Sequence, residues 1–239
     1  KSVHTKRPGV WVHAEKPTQS ELEILRDGFG LEEDLLRDAL DPNEVPRMEV
    51  EAGVVYVFVQ APYRGDAGTL TTHPVLIAVG PDFTLTLSKQ KAYFLDAFLD
   101  GKRDVATTQR TKILIRFLFS LNTSYTRNLA RIGKELRALS ANIGRVGVGD
   151  LKKFVTYEKT ASDFLSALVP MRAIVHTLLS ERHLPFYEED KDLVEDLFLA
   201  LGQLIETSRS THRHIVNIRE SSSVIMTYTL NQSIRTLTI

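Results

Sequence analysis

The sequence predicts an α+β fold: an N-terminal α/β/α domain with a mixed, largely antiparallel sheet, followed by long helices that form a helical stalk. Three observations predict it. Short runs rich in Val, Tyr and Phe, separated by Gly- or Pro-containing turns, occupy the first part of the chain. Apolar residues recurring at intervals of three, four and seven occupy the remainder. The connections between the expected strands are too short for the crossovers that parallel neighbours require. We place the division near residue 105, giving an α/β domain over 1–105 and a long-helix region over 106–239.

Each element has a local reason. Residues 11–14 (Trp-Val-His-Ala) read as a strand. Thr18 caps a helix that starts at Gln19, with Glu21 at the capping-box position, and Gly28-Phe29-Gly30 should break it. Residues 31–40 carry Leu31, Leu35, Leu36, Ala39 and Leu40 on one face and stop at Asp41-Pro42. Residues 47–51 and 54–60 flank Ala52-Gly53 as a hairpin. A polar loop is expected over 62–69. Strands at 75–79 and 83–87 then meet about the turn signal Gly80-Pro81-Asp82, and 93–99 is helical.

From 107 to 143 the seam Leu114, Leu118, Leu121, Tyr125, Ile132, Leu136, Leu139, Ile143 predicts one long helix. Gly144, Gly147 and Gly149 interrupt it. A return helix over about 151–183 contains Pro170, which should kink it. The third helix starts near Phe186 and spans roughly 80 Å at 1.5 Å per residue, a length that predicts a projecting stalk. Its last residues, Asn231 to Ile239, hold no stop signal, and the chain opens on Lys1. Both ends suggest a soluble piece of a larger, membrane-bound protein. Beyond residue 206 the spaced positions turn to Ser208, Thr211, Ser222 and Thr229. Such hydroxyls permit close helix approach or line a wet path; a solvated helix face is the plain alternative.

Composition removes several functions. Thirty basic and thirty acidic residues cancel, so nothing favours nucleic-acid binding. Without cysteine there are no disulfides, thiolate nucleophiles or Cys-based zinc sites. No run of about 18 apolar residues is present. There is no Walker loop, dinucleotide fingerprint or His-Glu-x-x-His motif, and Gly144-Arg145-Val146-Gly147-Val148-Gly149 reads as an interhelical turn. The chain is not expected to be an enzyme.

Four passages, in this order, resemble the CorA-type divalent-cation transporters, including the ZntB and CmaX-like branches. They are Trp11-Val12-His13 with Pro17-Thr18 and Glu21-Leu22; Asp38-Ala39-Leu40-Asp41 before Pro46-Arg47-Met48-Glu49; Leu168-Val169-Pro170-Met171-Arg172; and Asn231 to Ile239, with Arg235 at the basic position before a membrane helix. The resemblance implies a homopentameric funnel on the cytoplasmic face of the inner membrane. The last helices would converge there and continue as the pore wall through C-terminal membrane helices that this sequence lacks. It also lacks the family's Gly-Met-Asn motif, so the piece would sense, gate or guide ions rather than conduct them. Ser208, Thr211, Ser222, Thr229 and Asn231 would then face the pore. The ion expected is Mg²⁺, with Co²⁺ or Ni²⁺ as relatives. A Zn²⁺ transporter of the ZntB branch, or a soluble scaffold or adaptor sharing the layout, are the alternatives.

The same resemblance implies regulatory metal sites. Asp196 matches the family's acidic residue on the last helix, and Asp66, in Tyr63-Arg64-Gly65-Asp66, its acidic partner. The second aspartate one turn on is Ala200 here. Read as plain structure, Asp196 is a solvated helix charge and Asp66 a turn residue. Glu188, Glu189, Asp190, Asp192 and Glu195 crowd the start of the last helix, either complementing its dipole or forming a cation-attracting rim. His212 and His214 lie on different helix faces. His176 and His183 share a face but are too far apart for one metal. Ser180 to Pro185 resembles the ZntB branch and keeps zinc in view.

Overall fold

The computed structural model describes residues 9–65, 68–102, 109–141, 147–180, 184 and 186–237. In chain order they form β1 (Val10–Glu15), α1 (Gln19–Phe29), α2 (Glu33–Asp38), β2 (Arg47–Glu51), β3 (Val54–Arg64), β4 (Leu70–Val79), β5 (Phe83–Ser88), a 3₁₀ turn (Tyr93–Leu95), α3 (Asp96–Leu99), α4 (Arg110–Ser140), α5 (Val148–Leu179) and α6 (Glu188–Leu237). The sheet runs β1-β5-β4-β3-β2, with β1 parallel to β5 and every other pair antiparallel. The sheet is therefore mixed and largely antiparallel, as the short connections require.

Local chemistry sets the boundaries. The Thr18 hydroxyl accepts from the Glu21 amide, and the Glu21 carboxylate accepts from the Thr18 amide at 2.7 Å, closing both ends of the capping box. Gly30, at φ 66°, ends α1 in the left-handed region. Ala52 and Gly53 both have positive φ, 50° and 78°, as a two-residue hairpin turn matched to strand twist requires.

Alternation along the strands divides the core into two layers. Tyr56, Phe58, Leu76, Leu85 and Leu87 face α1 and α2 through Leu22, Leu25, Leu35 and Leu36. On the opposite face Val55, Val57, Val59, Val75, Ile77 and Val79 join one cluster with Phe117 and Leu121 of α4, Phe164 and Leu168 of α5, and Leu197 and Leu201 of α6. The apolar interior is continuous from the sheet into the long helices. The expected division near 105 falls within 103–108, outside the described residues.

Several expectations change. The second helix is shorter than 31–40, spanning Glu33–Asp38. The loop expected over 62–69 largely disappears, because β3 runs to Arg64 and β4 begins at Leu70. Residues 60–64 of β3 and 70–74 of β4 pair only with each other, whereas β2 stops opposite Phe58 and β5 opposite Val75. The two strands thus form a ribbon arm beyond the sheet. An arm with open edges tolerates Pro62 and Pro74, which lack an N–H to offer a further strand. Helix α5 lies along this arm: the Thr160 hydroxyl donates to the Leu70 carbonyl at 2.7 Å, and Thr71 donates to Asp163 at 3.1 Å. Gly149 lies inside α5 rather than before it, and α5 is helical on both sides of Pro170.

The last helix is not a free stalk over most of its length. Val194, Leu201, Ser208, Ile215 and Ser222 recur every seventh residue and are all buried, with Leu197, Leu204 and Ile218 between them. The antiparallel α5 supplies the facing seam of Phe154, Ala161, Leu168 and Val175. Past Ser222 the helix has no buried residue among those described.

Candidate functional site

The site residues expected from the sequence lie mainly on α6, and burial separates them. Asp196 follows Val194 of the buried seam by two residues, which turns it to the exposed side of the helix. Asp66 lies outside the described residues. Of the five residues expected to face a pore, Ser208 and Ser222 are corrected: they are 0% and 1% exposed, within the seam against the rest of the same chain. Their hydroxyls have no hydrogen-bond partner. They act as small residues that let helices approach, not as lining for a wet path. Thr211 is half-buried, whereas Thr229 and Asn231 are exposed on the distal part of the helix.

The acidic crowd at the start of α6 is also divided. Asp192 and Glu195 are exposed, and the side chains of Glu188 and Glu189 lie outside the described set. Asp190 is neither a rim residue nor a simple dipole partner. It is 1% exposed and its carboxylate lies 3.6 Å from Lys112 Nζ, joining the start of α6 to the start of α4. The crowd concealed this pair in the sequence, although Asp190 precedes Val194 by four residues and so falls on the buried stripe.

Arg172, part of the family-like Pro170-Met171-Arg172 step, sets its guanidinium 4.2 Å above the Phe198 ring. The guanidinium also lies against Gly202, where an added Cβ would meet it at 3.5 Å, an ordinary van der Waals contact. The His176 ring packs against the same Phe198, with centroids 5.7 Å apart. His176 and His214 are exposed, His212 is half-buried and His183 lies outside the described residues. No group of three His, Cys, Asp or Glu close enough to hold a metal occurs among the described residues. Mg²⁺ takes about six oxygens, several of them usually water. Among the described residues Asp196 has too few neighbouring ligands to complete such a shell without water or oxygens from another molecule.

Burial tunes several titrating groups elsewhere. His73 on β4 is pushed down to about 4 by desolvation, which outweighs its hydrogen bonds to neighbouring backbone. His13 on β1 is lowered for the same first reason, against the opposing charge of Glu15. Tyr125 is raised by burial, and its hydroxyl donates to the Gln60 carbonyl at 2.8 Å, fastening α4 to the arm.

Among the described residues no helix is long and apolar enough to cross a membrane. The family model described as CorA-like Mg²⁺ transporter protein matches residues 8–239. The chain is 24% identical over 235 residues to the cobalt/magnesium transport protein CorA of Methanocaldococcus jannaschii, covering 96% of this chain and 74% of that one. The complete structure of that protein superimposes with a TM-score of 0.85 over 95% of this chain and 73% of the other, at 22% identity. Full-length CmaX matches with a TM-score of 0.77 at 18% identity, covering 95% of this chain and 71% of its own. The ZntB cytoplasmic domain of Vibrio parahaemolyticus matches with a TM-score of 0.70 at 9% identity, over 89% and 86%. The fold is thus shared across three branches, and with the family model matched from residue 8 to the last residue, this chain belongs to the CorA-like Mg²⁺ transporter family.

Proposed function

We propose that the chain is the cytoplasmic, ion-sensing part of a transporter for Mg²⁺ or a related divalent cation such as Co²⁺, that it performs no catalysis, and that it works as a homopentamer beside the membrane. The observation that carries this reading is the family match over residues 8–239. The relative in Methanocaldococcus jannaschii is named for cobalt and magnesium transport, which favours those ions over zinc. The form of α6 is consistent with it. After Ser222 the helix exposes Val224, Tyr228, Leu230 and Ile234 together with Thr229 and Asn231, a surface that other copies of the helix would cover. Thr229 and Asn231 are the residues best placed to meet a hydrated ion. Asp196, with exposed Asp192 one turn before it on α6, is assigned to an interface where a neighbouring copy and water complete the oxygen shell. Asp66 is proposed as its partner in that shell.

Light scattering of the chain in EDTA, in millimolar Mg²⁺ and in micromolar Co²⁺ or Zn²⁺ tests the reading. The expected result is an assembly whose mass depends on the ion and loses that dependence in Asp196→Ala. A mass indifferent to every ion removes Asp196 and Asp66 as sensing residues.

A further inference from the structure

We propose that the cleft between the tip of the β3–β4 arm and helices α4 and α5 binds a polyphosphorylated anion. The cleft has a volume of about 300 Å³ and brings together Arg64 from the arm, Arg131 from α4, and Lys152 and Lys153 from α5. Among its described lining residues the one carboxylate is Glu135. That carboxylate is already engaged, because the Tyr157 hydroxyl donates to it. Among the described residues the other contacts engage few of the donors. Arg64 donates to the Gly68 carbonyl at 2.7 Å and Arg131 to the Asn128 side-chain oxygen at 2.8 Å, one bond each from guanidinium groups that carry five N–H donors. Lys153 donates to Asp150 at 3.1 Å, but that carboxylate also accepts from the Gly147 amide at the α5 N-terminus.

Charge is the main argument. Basic and acidic residues cancel over the whole chain, yet this one concavity gathers four cations, and among the described residues the carboxylates that touch them or line the cleft are Glu135 and Asp150, both already engaged. Like charges facing each other across a cleft repel, and a bound anion relieves that repulsion while the cleft focuses the field upon it. Two arginines among the four favour phosphoryl groups, whose oxygens accept the guanidinium fork in pairs. Several cations call for several phosphoryl charges rather than one. Leu70 and Ile132 supply apolar floor for an organic portion. Tyr157, pushed up to about 12 by burial and by its bond to Glu135, keeps its proton and adds no negative charge of its own. The inference does not depend on which cation is transported. A nucleotide and a phosphorylated lipid headgroup share this chemistry.

Calorimetric titration of the 239-residue chain with tripolyphosphate and with ATP, both in EDTA, is run beside cosedimentation with phosphatidylcholine vesicles carrying about one-twentieth phosphatidylinositol bisphosphate. The cleft variant is Arg131→Gln with Lys152→Gln, both exposed positions; the matched control is Lys89→Gln with Lys102→Gln. We expect saturable binding that the cleft variant weakens about tenfold or more and the control by less than about twofold, since each lost charge-assisted bond is worth roughly a factor of ten. Binding of tripolyphosphate or ATP without vesicles identifies a soluble ligand. Vesicle binding lost in the cleft variant identifies a headgroup. No binding in any arm, or binding that survives the cleft variant or falls equally in the control, overturns the proposal.

Discussion

Replacing Lys112 by Met should destabilise the chain more than any ordinary surface substitution. Asp190 is 1% exposed, and Lys112, whose side chain is 19% exposed, lies 3.6 Å from its carboxylate. At that distance and an effective dielectric of 20 the attraction is about 5 kcal/mol before desolvation is charged against it. Lys112→Met leaves a buried carboxylate facing an apolar group. Breaking a buried pair from one side typically costs about 3–5 kcal/mol, and the partly wetted ammonium puts this case near the lower figure. For a chain of this size about 3 kcal/mol corresponds to roughly 6–12 °C in Tm. Urea unfolding followed through Trp11, the single tryptophan, reads the change, because its ring packs 4.9 Å from Phe117 in the common core. The double variant Lys112→Met with Asp190→Met should recover most of the loss, since no uncompensated charge then remains. A loss below about 1 kcal/mol in the single variant, or a double variant as unstable as the single, would refute the assignment of a buried pair.

Two further outcomes are expected. His73 titrates near 4 in the folded chain but near 6.5 unfolded, so the unfolded chain takes up the proton first as pH falls. Its contribution is intact above pH 6.5 and is lost towards pH 4, with a ceiling of about 3 kcal/mol. The urea midpoint should therefore fall more steeply over that window in the native chain than in His73→Gln; equal slopes would place the titration elsewhere. Ser208 is fully buried with an unpartnered hydroxyl. Ser208→Ala should thus leave thermal stability unchanged or raise it by about 1 kcal/mol, and a loss of similar size would mean that the hydroxyl is bonded after all.

Much of the fold was legible because it rests on short-range chemistry. The Thr18–Glu21 box, the Ala52-Gly53 turn and the seams of α4 to α6 each depend on residues within a few positions of one another. The ribbon arm was not legible. Polar residues and two prolines over 60–74 have the composition of a loop, and only the packing of α5 along the arm reveals a pair of strands. The basic cleft was hidden for the same reason, since Arg64 meets Lys152 and Arg131 only once the arm is extended. On α6 the hydroxyl positions were visible but their direction was not. Ser208 and Ser222 continue the seven-residue repeat of Val194, Leu201 and Ile215, so the periodicity, more than the polarity, decided where they point. Asp196 was visible as a residue, but a shell of ion ligands needs oxygens that one chain's described residues do not gather.

The docking of α6 has a mechanical consequence. From Asp190 to Ser222 the helix shares buried contacts with the layers that hold the sheet, while the stretch from there to Leu237 projects about 22 Å at 1.5 Å per residue. That geometry is a lever with its fulcrum near Ser222. A tilt of about 5° in the docked segment, no more than a slight repacking of α5 against α6, would carry the far end roughly 2 Å sideways over that length. Small rearrangements among well-packed side chains far from the tip are thereby converted into displacements comparable to an atomic radius.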